Sequence, residues 1–397
     1  APAQDGSCHR DLRASRRRSR APRVVSTSVA RDRVSVTAPR LKRVPRTVRI
    51  ASINVNGIRA ATRKGMLEWI DQAGVDIMAL QEVRANEEQL TAALPGWRIV
   101  HHEALQKGRS GVAVASRMDA GAFRTVLGPE PLDQSGRWIE ADFDIDGETL
   151  TVVSAYVHSG EDGTPKQDAK YAFLDAMQAR LPQIEAHSPL ALVMGDMNVG
   201  HRELDIRNWK GNLKKAGFLP RERAYFDRIF APAGSEIECV DGSNGTGLGW
   251  VDVGRRWAGE VDGPYSWWSN RGQAFDNDTG WRIDYHLATA PLAERVTAYR
   301  IDRAPSWDTR WSDHAPVVVD YTIGGGARRL PHRRGLGLSG DQAPPVLRNA
   351  ALRRLPPDRQ LHRRAHAVAG SAGGLRRVLL GRRPARTDAA ERSGRAA

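Results

Sequence analysis

Eight short apolar runs recur between residues 48 and 323, and they limit the possible folds more than any other feature. They are Val48–Ile53, Val75–Leu80, Gly111–Ala115, Trp138–Phe143, Leu150–Tyr156, Leu190–Met194, Arg282–Ala288 and Pro316–Tyr321. Gly, Pro, Asn and Asp bound them, and their length and β-branched content predict strands. Helical patterns fall between some of them. Gly65–Gln72 puts Met66, Trp69 and Ile70 on one face, and Asp168–Ile184 aligns Tyr171, Leu174, Met177 and Leu181. Pro220–Phe230 is a third candidate helix. Many strands with few helices predict an α/β protein, two packed sheets flanked by helices in a layered sandwich. Residues 48–323 read as one domain without a short-period repeat.

The flanks have another character. Residues 1–47 are rich in Arg, Ser and Pro and read as a basic disordered arm. Residues 324–397 open on Gly324, Gly325 and Gly326, are rich in Arg, Gly and Pro, and hold no aromatic residue. Two readings stay open for these flanks: tails that hold DNA non-specifically, or sequence that never folds, including a non-native reading frame. The chain's net charge of +14 is therefore misleading. The flanks carry 30 Lys+Arg against 7 Asp+Glu, whereas 48–323 carries 30 against 39, a net of −9. Nucleic-acid binding by the middle segment must come from a local basic patch. The two cysteines, Cys8 and Cys239, argue against a thiolate zinc site and suit a reducing, cytoplasmic setting. No stretch is apolar enough for a membrane span, and no h-region follows the basic N-terminus.

Several apolar runs stop at residues suited to metal or phosphate chemistry. The first reaches Asn54 and Asn56, the second Gln81 and Glu82, and Leu190–Met194 leads into Asp196 and Asn198. Asp284 lies inside another, and the last follows Asp313 and His314 directly. Strand ends can bring side chains together at a rigid rim. One strand-end Asp is ordinarily a turn or cap residue; five such sites together suggest a purpose. Carboxylates and amides without thiolates suit Mg2+ or Mn2+. Metal, imidazole and a water-activating acid are the parts of a phosphodiester hydrolase.

The motifs Ser52–Arg59 (SINVNGIR), Leu80-Gln81-Glu82, Gly195–Asn198 (GDMN), Gly280–Tyr285 (GWRIDY) and Ser312–Pro316 (SDHAP) resemble, in order and rough spacing, those of the exonuclease III family of abasic-site endonucleases. The stretch His201–Asn212 is similar to the animal-type members. The resemblance covers 48–322 and neither flank. It implies the endonuclease/exonuclease/phosphatase (DNase I-like) fold, a four-layer α/β sandwich with two central mixed sheets. It implies Mg2+-dependent hydrolysis of duplex DNA 5′ to an abasic site, leaving a 3′-hydroxyl, with 3′→5′ exonuclease and 3′-end trimming. The partner would be double-stranded DNA with abasic sites or 3′ ends, bound by a monomer in the cytoplasm or on a nucleoid, with no membrane involved.

The resemblance also implies roles for residues. Glu82 would be the chief metal ligand, with Asn54, Asp196, Asn198, Asp313 and His314 in or beside the ligand set. Asp196 would activate water or handle the leaving-group proton, oriented by Asn198. His314, kept as imidazolium by Asp284, would bind a phosphate oxygen, and Tyr156 would contact the phosphate. Trp267, Trp281 and Ile283 would wall a pocket for an everted abasic sugar; Trp268 could equally be core. Arg59, Arg84, Asn208, Lys210 and Asn212 would bind substrate, with Lys107, Arg207 and Lys214 as further basic candidates.

One departure concerns the segment after Tyr156, where the family has Pro and then Asn or Gln. Here His158 and Ser159 stand, which leaves the balance of exonuclease and endonuclease activity open. Relatives of the same fold cleave other phosphate esters, so an RNA deadenylase is one alternative. A catalytically silent DNA-binding module is another. Gly280–Tyr285 and the Asp205–Asn212 segment favour abasic DNA.

Overall fold

A computed structural model describes residues 44–128 and 132–324. The two readings offered for the basic arm and the Arg/Gly/Pro-rich tail fall almost wholly outside the described residues. Among the described residues, regular structure begins at Arg46 and ends at Ile323. In chain order the strands are β1 (Arg46–Asn54), β2 (Ile77–Gln81), β3 (Arg98–His102), β4 (Val112–Ser116), β5 (Ala122–Arg124), β6 (Trp138–Ile145) and β7 (Glu148–Tyr156). There follow β8 (Leu190–Asp196), β9 (Glu236–Glu238), β10 (Asn244–Thr246), β11 (Val251–Asp252), β12 (Asp284–Ala288), β13 (Val296–Ile301) and β14 (Val317–Ile323). They build one sheet in the order β13-β14-β1-β2-β4-β3, a second in the order β11-β12-β8-β7-β6-β5, and a small β9–β10 hairpin. Both large sheets are mixed, with parallel pairing only at β1–β2 and β7–β8.

Period-two side-chain placement makes the layers. In β1, Val48 and Ile50 face the other sheet, while Ala51 and Ile53 face the helices at 58–73 and 87–93. In β8, Leu190, Leu192 and Met194 point between the sheets, while Ala191 and Val193 meet Phe173, Leu174 and Met177 of the long helix Pro165–His187. Covering both faces demands apolar residues at both parities, so these strands read as unbroken apolar runs. The predicted four-layer sandwich is the observed architecture. All three predicted helices are present, at Met66–Ala73, Pro165–His187 and Pro220–Phe230.

The strands missing from the sequence reading are β3, β5, β11 and β13, together with the small hairpin. Those four are the edges of the two sheets. Most of their residues are exposed or half-buried, as in β3 and β13. An edge strand has little need for a continuous apolar run, so it carries no such signal.

Chain direction places the chemistry at one rim. The carboxyl ends of β1, β2, β7 and β8 lie beside the amino ends of β12 and β14, which run antiparallel to their neighbours. Register sets Tyr156 opposite Asp196 and Asp196 opposite Asp284, and in the other sheet Asn54 opposite Gln81. Gly195 lets β8 approach β7 here: with φ at 148°, a Cβ at this position would lie 1.9 Å from the Ala155 carbonyl oxygen. No helix among the described residues is long and apolar enough to cross a membrane.

Candidate active site

Two side chains bridge the rims of the sheets. Asn54 donates from Nδ2 to Asp196 Oδ2 at 2.9 Å and to Glu82 Oε1 at 3.2 Å. The Tyr156 hydroxyl donates to Glu82 Oε1 at 2.6 Å. Each residue stands at or just past a strand end, so the rigid sheets fix the spacing. Past those ends the backbone is strained: Asn56, Glu82, Arg84 and Asn198 have φ of 45°, 50°, 50° and 49°. That region suits Asn but costs Glu and Arg about 1 kcal/mol or more each, and such strain gathers at functional sites.

Asp196 is the most constrained acid. Its Oδ1 accepts from the Asn198 amide at 2.9 Å, and Oδ2 lies 3.2 Å from Asn198 Nδ2. Burial raises its pKa to about 7; the His314 charge opposes this, while Asp284 and Glu82 add to it. A carboxyl raised in this direction takes up a proton more readily than an ordinary one, which suits proton transfer.

His314 Nδ1 lies 2.9 Å from Asp284 Oδ2, and Nε2 lies 3.7 Å from Asp196 Oδ2. Burial disfavours the imidazolium, but the Asp284 and Asp196 carboxylates outweigh it and raise the pKa to about 10. Ser266 orients Asp284: its hydroxyl donates to Asp284 Oδ2 at 2.6 Å and accepts from the Asp284 amide at 3.1 Å. Asp284 Oδ1 is buried without a hydrogen-bond partner.

Asp313 accepts from Asn56 Nδ2 at 2.8 Å and from Trp267 Nε1 at 3.2 Å. Burial pushes its pKa up, but His314 and these donors hold it below the usual carboxylate range. The rim thus gathers Glu82, Asp196, Asp284 and Asp313 around one charged imidazole. Arg84 already pairs with Glu82 from the outside.

Hard oxygen donors, surplus negative charge and an orphaned carboxylate oxygen fit a divalent cation. Asp196, Asp284 and His314 have ligand-type atoms within 4.8 Å of one another. A protonated imidazole, however, has no lone pair to offer, so the oxygen donors Glu82, Asn54, Asp196, Asn198 and Asp313 fit a cation better than His314 does.

The aromatic residues divide. Trp268 is core: it is 1% exposed, donates to Asp278 at 3.0 Å and packs edge-on against Phe275. Trp267 and Trp281 are half-buried and meet edge-to-face at 5.9 Å. Isolated bridges run from Ile206 to Trp281, from Trp281 to Trp267 and from Trp267 to His314, tying this wall to the imidazole. Ile283 is buried. Gly217 seats Trp281, since a Cβ there would lie 2.8 Å from the indole ring.

The proposed substrate contacts are dispersed. Arg59, Asn208 and Lys210 are exposed, and Asn212 is half-exposed and donates to the Asn208 carbonyl at 2.7 Å. The Arg207 amide bonds the Gly280 carbonyl at 3.1 Å, which sets this loop beside Trp281. Lys107 and Lys214 are exposed, and Arg207 pairs with Asp262.

Asp205, which opens the segment read as substrate-directed, is instead a buried anchor. It bonds Arg282 at 2.8 Å and the Arg202 amide at 2.8 Å, and pairs with Arg255. Burial pushes its pKa up, but Arg282 and Arg255 outweigh this and lower it to about 2. A carboxyl depressed from about 3.9 in the unfolded chain stabilises the fold above that value, and the effect disappears as pH falls through about 2. Acid unfolding of the wild type should therefore steepen between about pH 4 and 2, by on the order of 2 kcal/mol. Asp205→Asn should flatten that limb in urea titrations at stepped pH; an unchanged slope would contradict the assignment.

Sequence reasoning missed several supports. The Arg137 guanidinium lies 4.4 Å over the Tyr156 ring and bonds its carbonyl at 3.2 Å. Ser312 donates to the Asn54 carbonyl at 2.7 Å. Lys170 and Glu222 form a fully buried pair at 2.7 Å, and Lys170 Nζ also bonds the carbonyls of Asn198 at 2.9 Å and Ser159 at 3.2 Å. Lys170 sits on the apolar face of a predicted helix, and a lysine there was a readable signal. At the departure after Tyr156, the His158 ring packs edge-on against Phe173. Burial, with Arg137 and Lys170, lowers its pKa to about 3, so it stays neutral.

With this geometry in view, the likeness to known proteins is specific. Residues 51–314 match the profile of the Endonuclease/Exonuclease/phosphatase family. An exodeoxyribonuclease of Bacillus subtilis is 32% identical over 277 residues, covering 70% of this chain and 100% of the relative. DNA repair nuclease APEX1 of Danio rerio is 29% identical over 281 residues, covering 70% and 83%. An AP endonuclease from Archaeoglobus fulgidus shares the fold with a TM-score of 0.57 at 26% identity, covering 70% of this chain and 100% of that one.

Proposed function

The chain belongs to the endonuclease/exonuclease/phosphatase family, in its exodeoxyribonuclease III and abasic-site endonuclease group, and from that premise we propose the reaction it catalyses. It is a DNA repair phosphodiesterase that, acting as a monomer, hydrolyses duplex DNA 5′ to abasic sites, leaves a 3′-hydroxyl and trims 3′ ends. The observation that carries this reading is the junction of two groups of side chains. Glu82, Asn54, Asp196 and the Asp284–His314 pair adjoin the Trp267–Trp281 wall through one run of bridges.

In this reading Asp196 accepts the proton of the attacking water, while Asn54 and Asn198 hold its carboxylate in one orientation. His314, held charged by Asp284, donates from Nε2 to a non-bridging phosphate oxygen where negative charge grows in the transition state. Tyr156 and Arg137 keep Glu82 and its neighbours fixed. Trp267, Trp281 and Ile283 receive an everted sugar that carries no base, and a nucleotide with its base would be too large for a small apolar wall. Glu82, Asn54, Asp196, Asn198 and Asp313 would hold Mg2+, with Mn2+ as substitute. Bound there, the ion supplies Lewis-acid stabilisation of phosphate charge worth several kcal/mol.

A labelled duplex with one abasic analogue tests the proposal. With Mg2+ a single nick is expected 5′ to the lesion, abolished by EDTA and restored by Mg2+ or Mn2+. Turnover of poly(A) without that nick would point to an RNA deadenylase. Binding without cutting under either ion would point to a silent DNA-binding module.

A further inference from the structure

Beside the rim lies an open groove of about 380 Å³, whose lining includes the rim residues Asn56 and Asp313. The groove is also lined by Trp307, which is 52% exposed although it is one of the largest apolar side chains in the protein. Trp311, also in the groove, is half-buried against Trp69 at 5.8 Å. Trp307 has no such partner among the described residues. Among the described residues, its one ring contact is the Arg310 guanidinium, 5.6 Å from the indole centre. Arg310 is itself tethered, donating to Asn270 Oδ1 at 2.8 Å. Lys64 is the groove's second cation and is exposed.

An exposed indole with two cations, opening onto a phosphodiester site, has the composition of a stacking platform for nucleic acid. Inside a duplex a paired base keeps both faces covered by its neighbours, and at a blunt end the partner strand limits access to the one open face, so an unpaired nucleotide offers a face to Trp307 most readily. The groove is not uniformly basic, because Asp308 and Asp313 also line it. A phosphate would therefore sit toward Lys64 and Arg310.

We infer that this groove is a subsite for an unpaired nucleotide of the DNA substrate, its base stacked on Trp307 and its phosphate held by Lys64 and Arg310. The inference rests on the proposed DNA function and assigns that site a preference for frayed or tailed ends. It concerns a surface that none of the strand-end motifs contributes to beyond Asn56, Ser312 and Asp313.

Binding in EDTA, where no strand is cut, tests it with fluorescein-labelled duplexes that are blunt or carry a short unpaired 3′ dT tail. The wild type should bind the tailed duplex about 5- to 30-fold more tightly, within the range of one stacked base. Trp307→Ala should erase that preference, and Trp307→Phe should keep most of it. Equal affinity of the wild type for both duplexes would overturn the inference. So would a preference that survives in Trp307→Ala, or an equal loss on both duplexes with a lowered thermal midpoint. A wild type that nicks the abasic duplex but shows no tail preference keeps the proposed function and loses only the groove.

Discussion

Replacing Asp196 with Asn is expected to lower kcat for nicking an abasic duplex by about 10²- to 10⁴-fold, the usual contribution of a positioned proton acceptor. Asn keeps the shape of Asp and one acceptor oxygen, so it retains one of the two bonds that Asp196 now accepts, from Asn54 Nδ2 on Oδ2 or from the Asn198 amide on Oδ1, and it removes a buried charge. Folding should therefore survive, and the thermal midpoint should stay near the wild-type value. KM should change much less than kcat, because proton transfer is lost while the phosphate keeps His314. Single-turnover rates on the labelled duplex separate the two. An Asp196→Asn enzyme that nicks at the wild-type rate would remove this residue from the chemistry and leave the proposed mechanism without its base.

The second large effect lies away from the reacting atoms. Lys170→Met should destabilise the protein by about 3–5 kcal/mol, because it leaves Glu222 buried without a counter-charge. Both side chains are fully buried, and the pair is 2.7 Å apart. Glu222 is further committed to Gln167 Nε2 at 2.8 Å and to the amides of Gly217 at 2.7 Å and Leu219 at 3.0 Å. The variant should also lower kcat, since Lys170 fixes the carbonyl of Asn198 and so the loop that orients Asp196. A Lys170→Met/Glu222→Gln double variant should recover part of the stability, because a neutral pair of similar size no longer strands a charge. Urea unfolding measures both. A single-variant loss below about 1 kcal/mol, or a double variant worse than the single, would show that the pair carries little.

These two residues differ in how far sequence alone could reach them. Asp196 follows an apolar run in a Gly-Asp-Met-Asn motif, and its chemistry is legible because it is one of five strand-end sites with matching residue types; alone it would read as a turn or cap residue. Lys170 lies on the apolar face of a predicted helix, so the sequence can flag a buried lysine but not the partner it meets. Glu222 is 52 positions further on, in another helix. Ser266 and Arg137 are similar. Their residue types are common on surfaces, and only burial beside Asp284 and Tyr156 makes them matter. Trp267 and Trp268 are adjacent and chemically identical, yet one contributes to the wall and the other to the core.

By itself the sequence determined the central strands, the layered architecture and the kinds of group at the rim. Those follow from local rules: a strand covered on both faces must be apolar throughout, and carboxylates and amides at strand ends without thiolates suit a hard divalent cation. What it left out were the edge strands, which are half-solvated and need no apolar run, and the pairings. Asn54 reaches Asp196 across 142 residues of chain, and Ser312 reaches the Asn54 carbonyl across 258. A residue's type fixes what it can bond, but which partner stands within 3 Å depends on sheet register and chain direction. Only the tertiary structure decides those.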